Sequence, residues 1–372
     1  MTGGDRRGRL AIAMLAPCYW PEVRRGAERF TRELADGLVQ GGHRPHLITS
    51  HPGRPSRTTE DGLTVTRLPR PPQRQLRRRM FEEYLTHVPL SYMALRSGSY
   101  DLAHSTYATD ALAGARWSRV TGRPSIFSYM GIPDRAWLVR RRMRLKVTVE
   151  AVRGSSAVVA LSETAAAAFG HDLGVQPHVI PPGVNTRAFK PGGERAVDPT
   201  IFCASSIAEP AKRVADLIRA FALVRRERPH ARLVLSRPSD PSDAERIIGG
   251  EEGVELVDVD SPEALLHAYR SAWVTALPSQ GEAFGLVLVE SMACGTPVVG
   301  RRAGAIGEVV DRDSVGTLFC GEEDTLARAL LESLELATDL ATTDACRARA
   351  EDFSTARCSE AYLALYRQLL ER

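Results

Sequence analysis

Lysine is nearly missing from this chain: Lys146, Lys190 and Lys212 are its only lysines, and arginine supplies the other basic residues. That bias fits a GC-rich coding genome and makes a lysine kept inside a motif informative. An excess of one charge is missing too, because 49 basic and 45 acidic residues leave a formal charge of +4. So balanced a chain is a poor match for nucleic acid as main partner. Closely spaced cysteines are absent: Cys18, Cys203, Cys294, Cys320, Cys346 and Cys358 form no Cys-x-x-Cys pair and have no histidine at ligand spacing. This argues against structural zinc and a disulfide scaffold, and for a reduced cytoplasmic protein; no metal motif is present in the sequence, and neither a metal nor a cofactor is expected. No apolar stretch approaches the roughly 18 residues of a membrane span. Arg6-Arg7-Gly8-Arg9 before Leu10 to Ala16 resembles an export signal, but the run is short and Ala16-Pro17-Cys18 is a poor cleavage site. It reads as a first buried strand.

What is present is 372 residues with 43% hydrophobic content, enough for two domains at about 150 residues each. Short apolar runs alternate with helical patterns, as in βαβ units around a parallel sheet. Strands are expected at Leu10 to Ala16, His46 to Thr49, Leu63 to Leu68, Leu102 to His104, Ser125 to Tyr129 and Val158 to Leu161. A helix over Ala27 to Val39 ends at Gly41-Gly42. The pattern restarts at Thr200 with strands Ile201 to Ala204, Arg232 to Leu235, Val254 to Val257, Trp273 to Leu277 and Pro297 to Val299. Helices fall at Val214 to Arg225, Pro262 to Arg270, Leu286 to Cys294 and from Thr325 onward. The join is expected near Pro181-Pro182-Gly183-Val184-Asn185. Two doubly wound domains place a ligand site at the carboxyl ends of their strands, in the cleft between them.

The densest chemical signal runs from Pro278-Ser279-Gln280-Gly281-Glu282-Ala283-Phe284-Gly285 through Leu286 to Glu290, and on to Ser291-Met292-Ala293-Cys294-Gly295-Thr296-Pro297. A strand ends at Leu277, Gly285 lets the backbone approach a ligand, and a helix starts at Leu286. The first free N–H groups of that helix suit a diphosphate. Glu282 before the helix and Glu290 inside it can straddle that group. Carboxylates beside a phosphate site accept hydrogen bonds from neutral hydroxyls, which sugars and ribose supply.

With this Glu-x7-Glu element the chain resembles the retaining GT-B glycosyltransferases of family 4, over nearly its whole length. Pro21 through Gly26-Ala27-Glu28-Arg29, Gly41-Gly42-His43, Asp101 to His104 and Val159 to Glu163 also match, as do Ile180 to Asn185 and Ala303-Gly304-Ala305 with Gly307 to Val310. The resemblance implies an α/β GT-B fold of two Rossmann-like domains facing each other across a cleft. Residues 1–183 would form the acceptor-side domain and 184–355 the nucleotide-sugar domain, with a terminal helix at about 356–372 packing back on the first.

It further implies that Glu290 binds the nucleotide ribose and that Glu282 faces the donor sugar. Backbone N–H groups around Gly285, Leu286 and Val287 take the diphosphate, while Lys212 neutralises the leaving group. Gly26 would approach the phosphates from the first domain. Three departures stand out: Ser206 replaces the family's arginine six residues before the lysine, so half of the phosphate clamp is missing or supplied by Arg213, with Ser206 and Arg213 both kept as donor-binding candidates. Tyr129-Met130-Gly131 replaces a histidine-bearing turn, and Arg25-Gly26 replaces a glycine pair. Tyr129, Met130 and His104 are the acceptor-side candidates, with His104 expected at the cleft edge.

The function so implied is metal-independent, retaining transfer of a sugar from a UDP-, GDP- or dTDP-linked donor to a hydroxyl, thiol or amine of a small polar or anionic acceptor. Antibiotic-type metabolites and glycolipids are both open as products. The rivals are a nucleotide-sugar 2-epimerase on the same fold and a nucleotide-sugar-binding protein without turnover. Two basic clusters remain, Arg67 to Arg79 and Arg135 to Lys146. Leu138, Leu145, Val149 and Val152 share one helical face, so the second cluster reads as the wet side of a helix, with an anionic acceptor or a lipid surface as the alternative. Few apolar anchors accompany the arginines, and the chain is expected to stay off anionic vesicles at physiological salt.

Overall fold

The computed structural model describes residues 8–20, 22, 23, 26–238 and 240–372; Arg6, Arg7, Pro21 and Arg25 lie outside the described residues. The chain forms two compact units, one running to Gly183 and joined by Thr355–Arg372, the other Val184–Ser354.

The first unit holds β1 (Ala11–Leu15), β2 (Arg44–His51), β3 (Ser56–Glu60), β4 (Leu63–Pro69), β5 (Leu102–Ser105), β6 (Ser125–Ser128), β7 (Ala157–Ala160) and β8 (His178–Val179). They form one sheet in the order β3-β4-β2-β1-β5-β6-β7-β8. Every pairing is parallel except β3 with β4. Strands buried on both faces read as unbroken apolar runs, as Ala11-Ile12-Ala13-Met14-Leu15 does. The Ser56–Glu60 strand has no apolar residue to announce it and is exposed along most of its length. The last helix, Thr355–Leu370, buries Tyr362 and Tyr366 against Phe30, Leu34 and Ile126 of this unit. It approaches so closely that a Cβ on Gly183 would lie 2.6 Å from Thr355 Cα.

The second unit contains β9 (Thr200–Cys203), β10 (Arg232–Ser236), β11 (Val254–Val257), β12 (Val274–Leu277), β13 (Val298–Arg301) and β14 (Gly316–Phe319). All pair in parallel in the order β11-β10-β9-β12-β13-β14. This is the doubly wound dinucleotide-fold order, whose reversal point lies between the first and fourth strands. Here that point is β9 beside β12, and the loops leaving both carboxyl ends meet there. Ile201, Phe221, Leu233, Val274 and Leu330 are buried in one core beneath it.

The second arginine cluster is not one continuous helix. Helix Arg135–Leu138 and helix Arg144–Gly154 are separate, with Met143 in left-handed backbone between them. Leu138 and Val152 are buried as the periodicity requires, while Val139 and Met143 face solvent.

Candidate active site

In the second unit, β9 leads to a single turn of 3₁₀ helix, Pro210–Lys212, and Arg213 adopts left-handed backbone before helix Val214–Glu227. β12 leads to the loop carrying Glu282. The loops are stitched by Gln280 N donating to Ala211 O at 3.0 Å. Lys212 Nζ then lies 2.7 Å from Glu282 Oε1. Behind Glu282, Ala305 N donates to its carbonyl at 2.9 Å. A Cβ on Gly304, whose φ is +60°, would sit 2.4 Å from that same oxygen. The Ala303-Gly304-Ala305 turn is therefore the floor on which Glu282 rests.

Gly285, at φ +102°, caps helix Leu286–Ala293 without any side-chain cap. Residues at a helix start have no intrahelical partner for their N–H groups, and Leu286 and Val287 hold that position in the segment directly after Glu282. Glu290, one turn and more into this helix, is only 1% exposed, and Tyr269 donates its hydroxyl to Glu290 Oε2 at 2.8 Å. Tyr269 is itself wedged between Phe202 and Phe189, with centroids 5.3 and 6.0 Å away. Tyr269, which the motif spacing did not single out, contacts Glu290, and Gly304, named from the sequence only within Ala303-Gly304-Ala305, backs Glu282. For Tyr269 the signal was a lone aromatic in the apolar stripe of helix Pro262–Ser271.

The structure brings Lys212 and Glu282 together after β9 and β12, with Gly285, Leu286 and Val287 at the start of the helix that follows Glu282, while Glu290 lies further along that helix and is buried against Tyr269. Arg213 is turned elsewhere: its Nε lies 2.5 Å from Asp216 Oδ2, a carboxylate shared with Arg219 and Arg301. Ser206 is exposed in the loop after β9. In the first unit, Gly26 is the exposed first residue of helix Gly26–Gln40.

His104 is a correction. It does not reach a ligand-accessible edge but is 1% exposed, with Nδ1 2.6 Å from the Tyr366 hydroxyl and Nε2 2.7 Å from Ser128 Oγ. Burial depresses its pKa to about 3, so it is a neutral core residue. The helix Thr355–Leu370 covers the position that strand spacing alone left open.

Tyr129 and Met130 do line a cavity of about 270 Å³ at the carboxyl ends of β5 and β6. Thr106 is on its wall, 6% exposed, and its Oγ1 has no hydrogen-bond partner. Tyr107 lines it too and donates to Glu28 Oε1 at 2.6 Å, which Cys18 Sγ also approaches, to 3.2 Å. Burial, then the Glu28 charge, pushes the Cys18 thiol up to about 11, so it stays protonated. Arg144 is the one cation among the described residues of this wall, and it is paired with Glu82 and stacked 3.8 Å over the Trp137 ring.

Comparisons with known proteins agree on the kind of molecule this is. A family model described as Glycosyltransferase Family 4 matches residues 24–188, and one described as Glycosyl transferases group 1 matches residues 198–335. D-inositol 3-phosphate glycosyltransferase of Thermobifida fusca is 30% identical over 352 residues, 80% of this chain and 77% of that protein. The enzyme of the same name from Saccharomonospora viridis is 30% identical over 51% of this chain, and there the chain spans only about half (50%) of the relative's length. Among solved structures, sucrose-phosphate synthase from Thermosynechococcus elongatus superposes with a TM-score of 0.81 at 22% identity, covering 98% of this chain and all (100%) of the other. Anabaena HepE in complex with UDP-glucose gives 0.74 at 19% identity, covering 97% and 100%. With two parallel-sheet Rossmann-like units carrying this arrangement, the chain belongs to glycosyltransferase family 4 and is a glycosyltransferase of the GT-B fold.

Proposed function

We propose that the second unit binds a nucleotide-diphosphate sugar and that the enzyme transfers the sugar, with retention and without a metal ion, to a hydroxyl-bearing acceptor held by the first unit. The observation that carries this is the Lys212–Glu282 pair, 2.7 Å apart, beside an uncapped helix start. Open N–H groups and a cation in one place suit a diphosphate. A carboxylate beside them suits sugar hydroxyls, and Glu290 suits the ribose.

In the reaction the bond from the anomeric carbon to the diphosphate oxygen breaks while the acceptor oxygen bonds to the same face. The departing phosphate oxygen takes the acceptor's proton, and Lys212 with the N–H groups of Leu286 and Val287 stabilises the charge developing there. The UDP-glucose complex of HepE supports a nucleotide sugar as donor. None of the six cysteines is joined in a disulfide, which supports a reducing, cytoplasmic setting.

The cavity lined by Thr106, Tyr129 and Met130 is the acceptor site in this reading. With Arg144 already neutralised by Glu82, it favours an uncharged hydroxyl, which Thr106 Oγ1 would hold, over a phosphate-bearing acceptor. Incubation with UDP-, GDP- and dTDP-sugars tests the proposal. Release of nucleoside diphosphate with a product of unchanged anomeric configuration by NMR supports it. An epimerised nucleotide sugar, or donor binding with no turnover, sinks it.

A further inference from the structure

The clusters at Arg74–Arg79 and Arg140–Arg144, far apart in sequence, form one face of the first unit. Arg142 N donates to Met80 O at 2.6 Å and Glu82 N to Arg142 O at 2.9 Å, closing a parallel bridge between Phe81 and Arg142. Glu83 joins the two sides again, 3.1 Å from Arg77 and 2.9 Å from Arg141. Segments 70–86 and 134–150 carry eleven cations against four carboxylates, and Glu82 and Glu83 are each committed to arginines.

Large apolar side chains stand out on the same face: Met80 is 51% exposed, Trp137 44%, Val139 59% and Met143 43%. Nine large hydrophobics are prominently exposed among the described residues, and four of them collect here instead of scattering singly. Such clustering marks an interaction surface. Met80 and Met143 are also two of the five non-glycine residues at positive φ among the described residues, at 57° and 69°, a conformation L-residues ordinarily avoid. Neither side chain is buried in return.

We propose that this face docks the enzyme on an anionic lipid bilayer. Met80, Trp137, Val139 and Met143 enter the interfacial layer while the arginines meet lipid phosphates. Apolar insertion or charge alone attaches a protein weakly, and the two together hold it. A soluble polyanion needs only the charges and leaves the exposed methionines and valine without a purpose. The expectation of few apolar anchors is thereby corrected: one anchor directly follows the first cluster, and Val139 and Met143 stand on the broken segment that a continuous helix would have folded under. Trp137 belongs to this face and to the wall of the Thr106 cavity, so a docked enzyme presents that cavity toward hydroxyl-bearing lipids. The docking itself does not rest on the glycosyl-transfer reading, and its readout is binding.

The test floats the full chain with phosphatidylcholine vesicles, with and without an equal part of phosphatidylglycerol, at physiological salt. Binding is expected to the mixed vesicles and at least tenfold weaker to phosphatidylcholine. The triple variant Met80→Ser, Val139→Ser, Met143→Ser and the quadruple variant Arg77→Gln, Arg78→Gln, Arg140→Gln, Arg142→Gln are each expected to lose at least tenfold in partitioning. Both should keep the wild-type melting temperature and the wild-type rate on a soluble acceptor. No binding to the anionic vesicles overturns the proposal. So does an apolar variant that binds as wild type while heparin competes, because the face is then a polyanion site.

Discussion

Lys212 and Glu282, seventy residues apart, meet at 2.7 Å where the loops after β9 and β12 converge. Both side chains are part-exposed, and pairs of that kind contribute about 1 kcal/mol or less to folding. Lys212→Ala is therefore expected to leave the melting temperature nearly unchanged while lowering kcat at least about tenfold, or 1.4 kcal/mol of transition-state stabilisation. Normal turnover in the variant would falsify the leaving-group role and move attention to Arg213, which is at present turned to Asp216.

Glu290 and Tyr269 act as a unit. Glu290→Gln is expected to weaken donor binding by about 1–3 kcal/mol, the range for hydrogen bonds to a charged group. Tyr269→Phe removes the hydroxyl that holds Oε2 and is expected to weaken it by about 0.5–1.5 kcal/mol. Calorimetric titration with a 2′-deoxy donor separates the roles: the deoxy donor loses affinity against wild type but little in Glu290→Gln. Equal losses in both proteins exclude ribose binding.

Gly304 supports Glu282 through contact no other residue type allows. Gly304→Ala places a Cβ 2.4 Å from Glu282 O at φ +60°, so the loop must shift. The expected result is a stability loss of about 1–3 kcal/mol together with a kcat reduced at least about tenfold. Gly321→Ala is the control: it has φ +97° but meets nothing closer than 3.5 Å. It is expected to lose stability and keep kcat. If both variants turn over normally, Gly304 is only a turn residue.

Acid should loosen the first unit through its neutral histidines. Burial lowers His104 to about 3 and, with a smaller push from Arg57, His46 to about 4. In the unfolded chain both titrate near about 6.5. Below that value the unfolded state takes up protons that the folded state refuses, so stability falls with falling pH down to about 4, by up to about 1.4 kcal/mol per pH unit for each histidine. Denaturant melts between pH 7 and 4 are expected to show this slope, reduced by one proton's worth in His104→Gln. An unchanged slope in the variant excludes His104 as a contributor.

The regular βα alternation was legible because strands such as Ala11–Leu15 and Val274–Leu277 are buried on both faces and appear as apolar runs. Glu282 and Glu290 were legible because their spacing brackets a strand-to-helix turn. The β3 strand was missed for lack of apolar residues, although Asp61-Gly62 between it and β4, both at positive φ, is a turn dipeptide that announces a hairpin. β14 and helix Pro241–Ile248 were short and flanked by polar loops. Local pattern placed His104 at a strand end but carried no sign that Tyr366 would cover it. Nor did it show that Met80 and Arg142 would share a hydrogen bond, since such facts belong to pairing between distant segments.

Thr355–Leu370 has a consequence for the order in which the protein is made. On the ribosome the first 183 residues emerge long before this helix, and until it arrives His104 and Ser128 lack the Tyr366 and Tyr362 hydroxyls that satisfy them. Domains ordinarily mature in the order of synthesis. Here the intervening unit, Val184–Ser354, has all its own strands in hand first, so the segment translated earliest is the last to close its core. Nascent chains stalled before Thr355 should expose it to protease.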